Sequence, residues 1–138
     1  MRLTRRYRFS ASHRLHSPAL SDEENRRIYG KCNYPFGHGH DYVLEVSVTG
    51  PLDAATGRIV DLDTLDGLVA REIVTPLDHR NLSLEVGAFR ETVPTTENLV
   101  AEIRRRLDAA WSGAFGVAGP SLERIRVEET KRNYIELA

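Results

Sequence analysis

The stretch LTRRYRFSASHRL, residues 3–15, decides how the chain begins to fold. Leu3, Tyr7, Phe9, Ala11, His13 and Leu15 share one parity, while Thr4, Arg6, Arg8, Ser10 and Arg14 share the other. A period of two places alternate side chains on opposite faces of a strand. The stretch therefore reads as a half-buried β-strand with a basic outer face, and His13 falls on its inward side. A second strand answers it from about His40 to Thr49, with Tyr42, Leu44, Val46 and Val48 apolar and Glu45, Ser47 and Thr49 opposite. Between the two, residues 16–37 carry Pro18, Ser21, Asp22, Asn25, Gly30, Asn33, Pro35 and Gly37. They read as one long loop, and loops of that length in compact domains are usually functional or disordered.

Further along, Asp61 is placed to cap a helix whose apolar stripe is Leu65, Leu68, Val69 and Ile73. Thr75-Pro76 is expected to end it, because a residue before proline avoids the helical region. Residues 76–93 read as a connection. Pro94-Thr95-Thr96-Glu97 starts a second helix with a threonine cap and an early glutamate, and Leu99, Val100, Ile103, Leu107, Ala110 and Trp111 follow at helical spacing. A third strand is expected over about Leu122–Glu129, with Ile125 and Val127 inward and Arg124 and Arg126 outward. A short fourth covers Tyr134–Leu137. The order β-β-α-α-β-β predicts an α+β fold: a four-stranded antiparallel sheet with both helices on one face.

The chain has 138 residues, 41% hydrophobic and 28% charged, which predicts a single globular domain over residues 1–138. Nineteen basic against 20 acidic residues argue against a nucleic-acid binder. No apolar run approaches the roughly 20 residues of a membrane helix. The basic N-terminus has no apolar stretch behind it, so no secretory signal is expected and a cytoplasmic location is the default. One cysteine rules out an intrachain disulfide framework and a four-cysteine zinc site.

His38-Gly39-His40 opens the second strand, and residues two apart on a strand share a face. His13 lies on the inward face of the neighbouring strand. Three neutral imidazoles with an open fourth position are the arrangement of a catalytic zinc site. A hydrogen-bonded turn with a satisfied core histidine would have the same sequence. Cys32, flanked by Lys31 and Asn33, offers a thiolate near positive charge, a fourth zinc ligand, or an inert small side chain. Asp78-His79 offers an acid–base pair if the fold brings it to Cys32. Glu129 falls on the inward parity with Ile125 and Val127, where a carboxylate needs a partner, such as a ring edge presenting adjacent N–H donors. A solvated position at the strand end is its plain alternative.

Taken together, FSASHRL (9–15), GKCNYPFGHGHDY (30–42), GRIVDLDTL (57–65), LDHRNL (77–82), PTTEN (94–98) and VEET (127–130) resemble the 6-pyruvoyltetrahydropterin synthase / 6-carboxytetrahydropterin synthase family. The resemblance runs in order over nearly the whole chain. It implies a tunnelling fold (T-fold) whose sheets join into a barrel. The implied assembly is a homohexamer of two trimers with active sites between subunits. It implies Zn2+ on His13, His38 and His40, and Cys32 as catalytic base. Asp78 and His79 would be the acid–base partners from a neighbouring subunit. Glu129 would grip the pterin ring, with Thr95 and Thr96 as lesser contacts. The implied substrate is the small molecule 7,8-dihydroneopterin triphosphate, with neither nucleic acid nor membrane as partner.

Two outcomes remain open under that resemblance: triphosphate elimination to 6-pyruvoyltetrahydropterin, or side-chain cleavage to 6-carboxytetrahydropterin on the queuosine route. Cys32 stands six positions before His38, a spacing similar to the pyruvoyl type but found with both products. Leu62 departs from the family's usual phenylalanine. Two readings outside the lyase class compete: a zinc hydrolase of a small heterocycle, which needs no Cys32, and a non-catalytic zinc-stabilised binding module, in which Cys32 closes the metal site.

Overall fold

The structure, a computed structural model, describes residues 1–138. Strands β1 (Arg2–His13) and β2 (His38–Thr49) pair antiparallel over their whole lengths, from Arg2 opposite Thr49 to His13 opposite His38. β4 (Ser121–Thr130) lies antiparallel on β2, and β5 (Asn133–Leu137) on β4. The inward parity of each strand faces the helices. Leu44, Val46, Val48, Ile125 and Val127 are buried there with Leu65, Leu68, Ile73, Leu99, Ile103 and Leu107 from the helical layer. Arg5 is the exception on the inward parity of β1. Its guanidinium donates to both oxygens of Asp66 at 2.7 Å, and the Tyr7 hydroxyl donates to the same carboxylate at 2.8 Å. No helix is long and apolar enough to cross a membrane.

The architecture is α+β as expected, with three differences in detail. The sheet has five strands, in the order β3-β1-β2-β4-β5, because β3 (Arg80–Asn81) adds a short parallel edge beside Ala11 and Ser12. A two-residue strand has no periodicity to detect.

The expected loop over 16–37 contains helix α1 (Asp22–Tyr29), followed by a 3-10 turn over Gly30–Asn33. Ser21 caps α1 by accepting from Glu24 N, and its hydroxyl donates to Glu24 Oε1, a helix start that the weak apolar pattern obscured. Buried Asn25 ties the helix down by bonding Ser17, Leu20 and Ser21 backbone.

The first long helix, α2 (Leu62–Val69), does not stop before Pro76. It widens into a π-helical turn over Ala70–Val74 and ends as α3 (Thr75–Leu77), with Thr75 itself helical. The wider turn removes the usual clash between a proline ring and the carbonyl one turn back. Helix α4 (Leu82–Glu85) follows β3, and α5 (Thr96–Phe115) begins at a threonine cap as expected, with Thr95 the one of the two threonines that caps it.

Leu44 is fully buried at the centre of this core, whereas Leu84 is 83% exposed. Leu44→Ala is expected to cost about 2–5 kcal/mol by lost burial and a residual cavity. Leu84→Ala should stay within about 0.5 kcal/mol. Urea unfolding of the two variants checks both values.

Candidate active site and metal centre

The site forms where β1 ends, β2 begins and β4 ends. Cross-strand pairing sets His13 opposite His38 and Ala11 opposite His40, so the parities of both strands deliver three imidazoles to the inward face. Their rings meet edge to face, with centroids 4.8, 4.8 and 5.0 Å apart. One ligand-type atom from each lies within 4.8 Å of the others. Gly37 makes the turn into β2 possible. Its φ is +74°, and a Cβ there would stand 2.9 Å from the His13 carbonyl oxygen.

His13 is fully buried, and its Nδ1 lies 2.8 Å from the Pro94 carbonyl oxygen. A carbonyl only accepts, so Nδ1 carries the proton and Nε2 presents a lone pair. Burial lowers the His13 pKa, a shift opposed by the Pro94 bond and the Glu129 charge. The His38 pKa is also lowered, by burial and then by His40. His13 Nε2, His38 Nδ1 and His40 Nε2 are all buried without a hydrogen-bond partner. Orphaned polar atoms of this kind cost about 1–3 kcal/mol each. A metal ion would satisfy all of them together. The donor set fits zinc, for which three histidines and an open position form a catalytic site.

Glu129, on the inward parity of β4, holds its Oε1 3.6 Å from both His13 Nε2 and His40 Nε2. Its side chain is only 16% exposed, so it is not a solvated rim residue. Cys32, partly buried in the 3-10 turn, is held to the end of β1: Leu15 N donates to its carbonyl at 2.8 Å. Arg14 Nε donates to Asn33 O, and Asn33 Nδ2 to Leu15 O, locking the turn in place. The metal-ligating group comprises the histidines alone, with Cys32 outside it. The histidines meet without Cys32, which argues against the closed four-ligand site considered for it. Thr95 and Thr96 follow Pro94 beside His13. The Thr95 hydroxyl is occupied as a cap, accepting from Asn98 N, and Thr96 is buried.

Asp78 and His79 do not join this cluster within one chain. Asp78 Oδ1 accepts from Ser10 N at 2.8 Å, and His79 N donates to Ser10 O at 2.6 Å. This pins the dipeptide to the far edge of β1. His79 has a φ of +59°, which turns its ring back to within 3.5 Å of Asp78 Oδ2, where an extended chain would point the two apart. The His79 side chain is 83% exposed, in a cleft of about 430 Å³ shared with Ser10, Gly39, His40 and Asp41. Sequence reasoning missed the Pro94 carbonyl altogether, since a backbone oxygen has no residue signature.

Burial, and after it the Glu129 charge, raises the Cys32 thiol pKa above its ordinary value. In the metal-free protein the thiolate should therefore appear only at alkaline pH. Glu129→Gln removes one cause of the rise, so the midpoint for iodoacetamide labelling of Cys32 should move down. An unchanged midpoint would show that the carboxylate does not act on the thiol.

The family model described as 6-pyruvoyl tetrahydropterin synthase matches residues 2–138. A 6-pyruvoyl tetrahydrobiopterin synthase of Poecilia reticulata is 45% identical over 134 residues, covering 96% of this chain and 86% of the relative. The Homo sapiens enzyme of that name is 44% identical over 133 residues, covering 96% and 88%. The solved Caenorhabditis elegans 6-pyruvoyl tetrahydropterin synthase superposes with a TM-score of 0.90 at 36% identity, over 99% of this chain and 94% of that one. The histidine cluster, the cysteine turn and the inward glutamate thus sit in a chain that, along its whole length, belongs to the 6-pyruvoyl tetrahydropterin synthase family.

Proposed function

We propose that this chain is a zinc-dependent pterin synthase of the lyase type, acting on 7,8-dihydroneopterin triphosphate. One observation carries the reading: three buried imidazole nitrogens without partners converge beside a cysteine and an inward carboxylate. The names of the relatives favour triphosphate elimination to 6-pyruvoyltetrahydropterin over the 6-carboxy product of the queuosine route. The conversion needs no external nicotinamide, because the side chain is oxidised as the ring is reduced from dihydro to tetrahydro.

Bound zinc would supply a Lewis acid beside the side-chain oxygens of the substrate, acidifying the neighbouring C–H. His13, His38 and His40 would hold it, with the Pro94 carbonyl orienting His13. Cys32, as thiolate, takes the carbon-bound proton. Its burial keeps the thiol protonated until a nearby positive charge offsets that cost. Glu129 accepts N–H donors of the pterin ring, and Thr95 and Thr96 line the ring's edge.

His79 returns the proton, oriented by Asp78. The pair lies at the sheet edge, away from Cys32, so the reading places it in the site of an adjacent copy. The open edge of β1 over residues 2–9 and the outer edge of β5 are suited to join copies into a barrel, and two stacked trimers complete the proposed hexamer. A cytoplasmic location agrees with the small-molecule chemistry.

Cys32→Ala should fold and retain zinc while losing most turnover, measured as product by mass spectrometry. Full turnover without the thiol would favour a zinc hydrolase mechanism instead. Mixing Cys32→Ala with His79→Ala subunits after dissociation should restore part of the activity that neither variant has alone. No recovery in a hexamer shown to be mixed would refute the shared site.

A further inference from the structure

We infer that Asn33 is a positioning residue that, with Arg14, holds the Cys32 thiol off the metal and so keeps the fourth coordination position open. The inference rests on the zinc reading above and goes beyond it.

Three imidazoles with an open position and a cysteine close by are the makings of a closed site. Thiolate is a favoured zinc ligand, and zinc held by four protein ligands is structural rather than catalytic. Cys32 is near enough for that outcome. The Glu129 charge acts on its thiol, and the same carboxylate stands 3.6 Å from both His13 Nε2 and His40 Nε2. Yet the thiol stays outside the group of ligand atoms. A restraint on the turn accounts for this.

The restraint is visible in the hydrogen bonds of the turn over Gly30–Asn33. Four of them run to residues 14–16, which directly follow His13. In one, Leu15 N donates to the Cys32 carbonyl at 2.8 Å, a bond of backbone alone. The other three need a particular side chain. Asn33 Nδ2 donates to Leu15 O at 2.8 Å and to His16 Nδ1 at 3.1 Å, which uses both amide hydrogens. Arg14 Nε donates to Asn33 O at 3.0 Å. Arg14 is itself fixed, because its N–H donates to Ser83 Oγ at 3.0 Å and its carbonyl accepts from that hydroxyl at 3.2 Å. Asn33 is only 6% exposed, and an amide buried that far is costly unless its bonds are made. The turn carrying the thiol is thus tied to the strand end carrying His13.

Held off the metal, the thiol is free to act as base, and the open position is free for substrate oxygens. Released, the thiolate would take that position and turn a catalytic centre into a structural one. Loss of Asn33 should therefore tighten metal binding while turnover falls.

Cobalt(II) substitution in the full chain tests this, with metal stoichiometry measured in the same samples and zinc affinity by chelator competition. Wild type is compared with Asn33→Ala, the near-isosteric Asn33→Asp, and Arg14→Ala. Each is also made with Cys32→Ser. The expected result is no thiolate-to-metal charge-transfer band in wild type and a band in Asn33→Ala that Cys32→Ser removes. Zinc affinity should rise with it by about tenfold or more, the scale on which changes around a metal's ligands act. A role in stability alone would loosen the metal and give no band. Stoichiometric cobalt without a band in the variants that fold, as judged by circular dichroism, overturns the inference and leaves the lyase reading standing. A band already present in wild type also overturns it, since Cys32 would then be a ligand at rest. Failure of wild type to bind either metal would instead remove the zinc reading itself, and the inference with it.

Discussion

The register of β1 against β2 is the constraint on which the rest of the molecule depends. Arg2 faces Thr49 and His13 faces His38 along an unbroken ladder. Side-chain direction on a strand has a period of two, so a slip of one residue would turn a whole set of side chains to the other face. Here the same slip would send His38 and His40 away from His13. The buried row of Phe9, Tyr42, Leu44 and Val46 resists it, because exposing that row would forfeit the burial that stabilises the core. Packing of the apolar row and assembly of the histidine cluster are therefore one structural event.

The site gathers three imidazoles and a carboxylate at the end of the sheet. Three imidazole nitrogens without hydrogen-bond partners meet there, with a carboxylate oxygen 3.6 Å from two of them. Such an arrangement is costly in an apoprotein and favourable around a cation. Pro94 matters for the same reason. By taking the Nδ1 proton of His13, its carbonyl leaves the lone pair on the side that faces the cluster. The helix start at Thr95 and the tautomer of a histidine on β1 are thereby coupled through one backbone oxygen.

Much of this was legible in residue order. Parity alone placed His13, His38, His40 and Glu129 on the inward face, and the Asp61 and Thr95 caps appear where their local patterns put them. Features set by backbone geometry were not legible. The π turn carries helical structure through Pro76, and the Ser21 cap starts a helix with little apolar stripe to announce it. The left-handed His79 reverses the expected divergence of Asp78 and His79.

The sequence by itself determined which residue types share a face, because strand and helix periods translate spacing directly into direction. It also determined the family, through ordered motifs spread over the whole chain. Only the tertiary structure decided which of those residues meet. Cys32 stands outside the ligand cluster, Glu129 stands against it, and Asp78-His79 is pinned to the far edge of β1. Those outcomes depend on distances between segments remote in sequence, and no local period encodes a distance across a sheet.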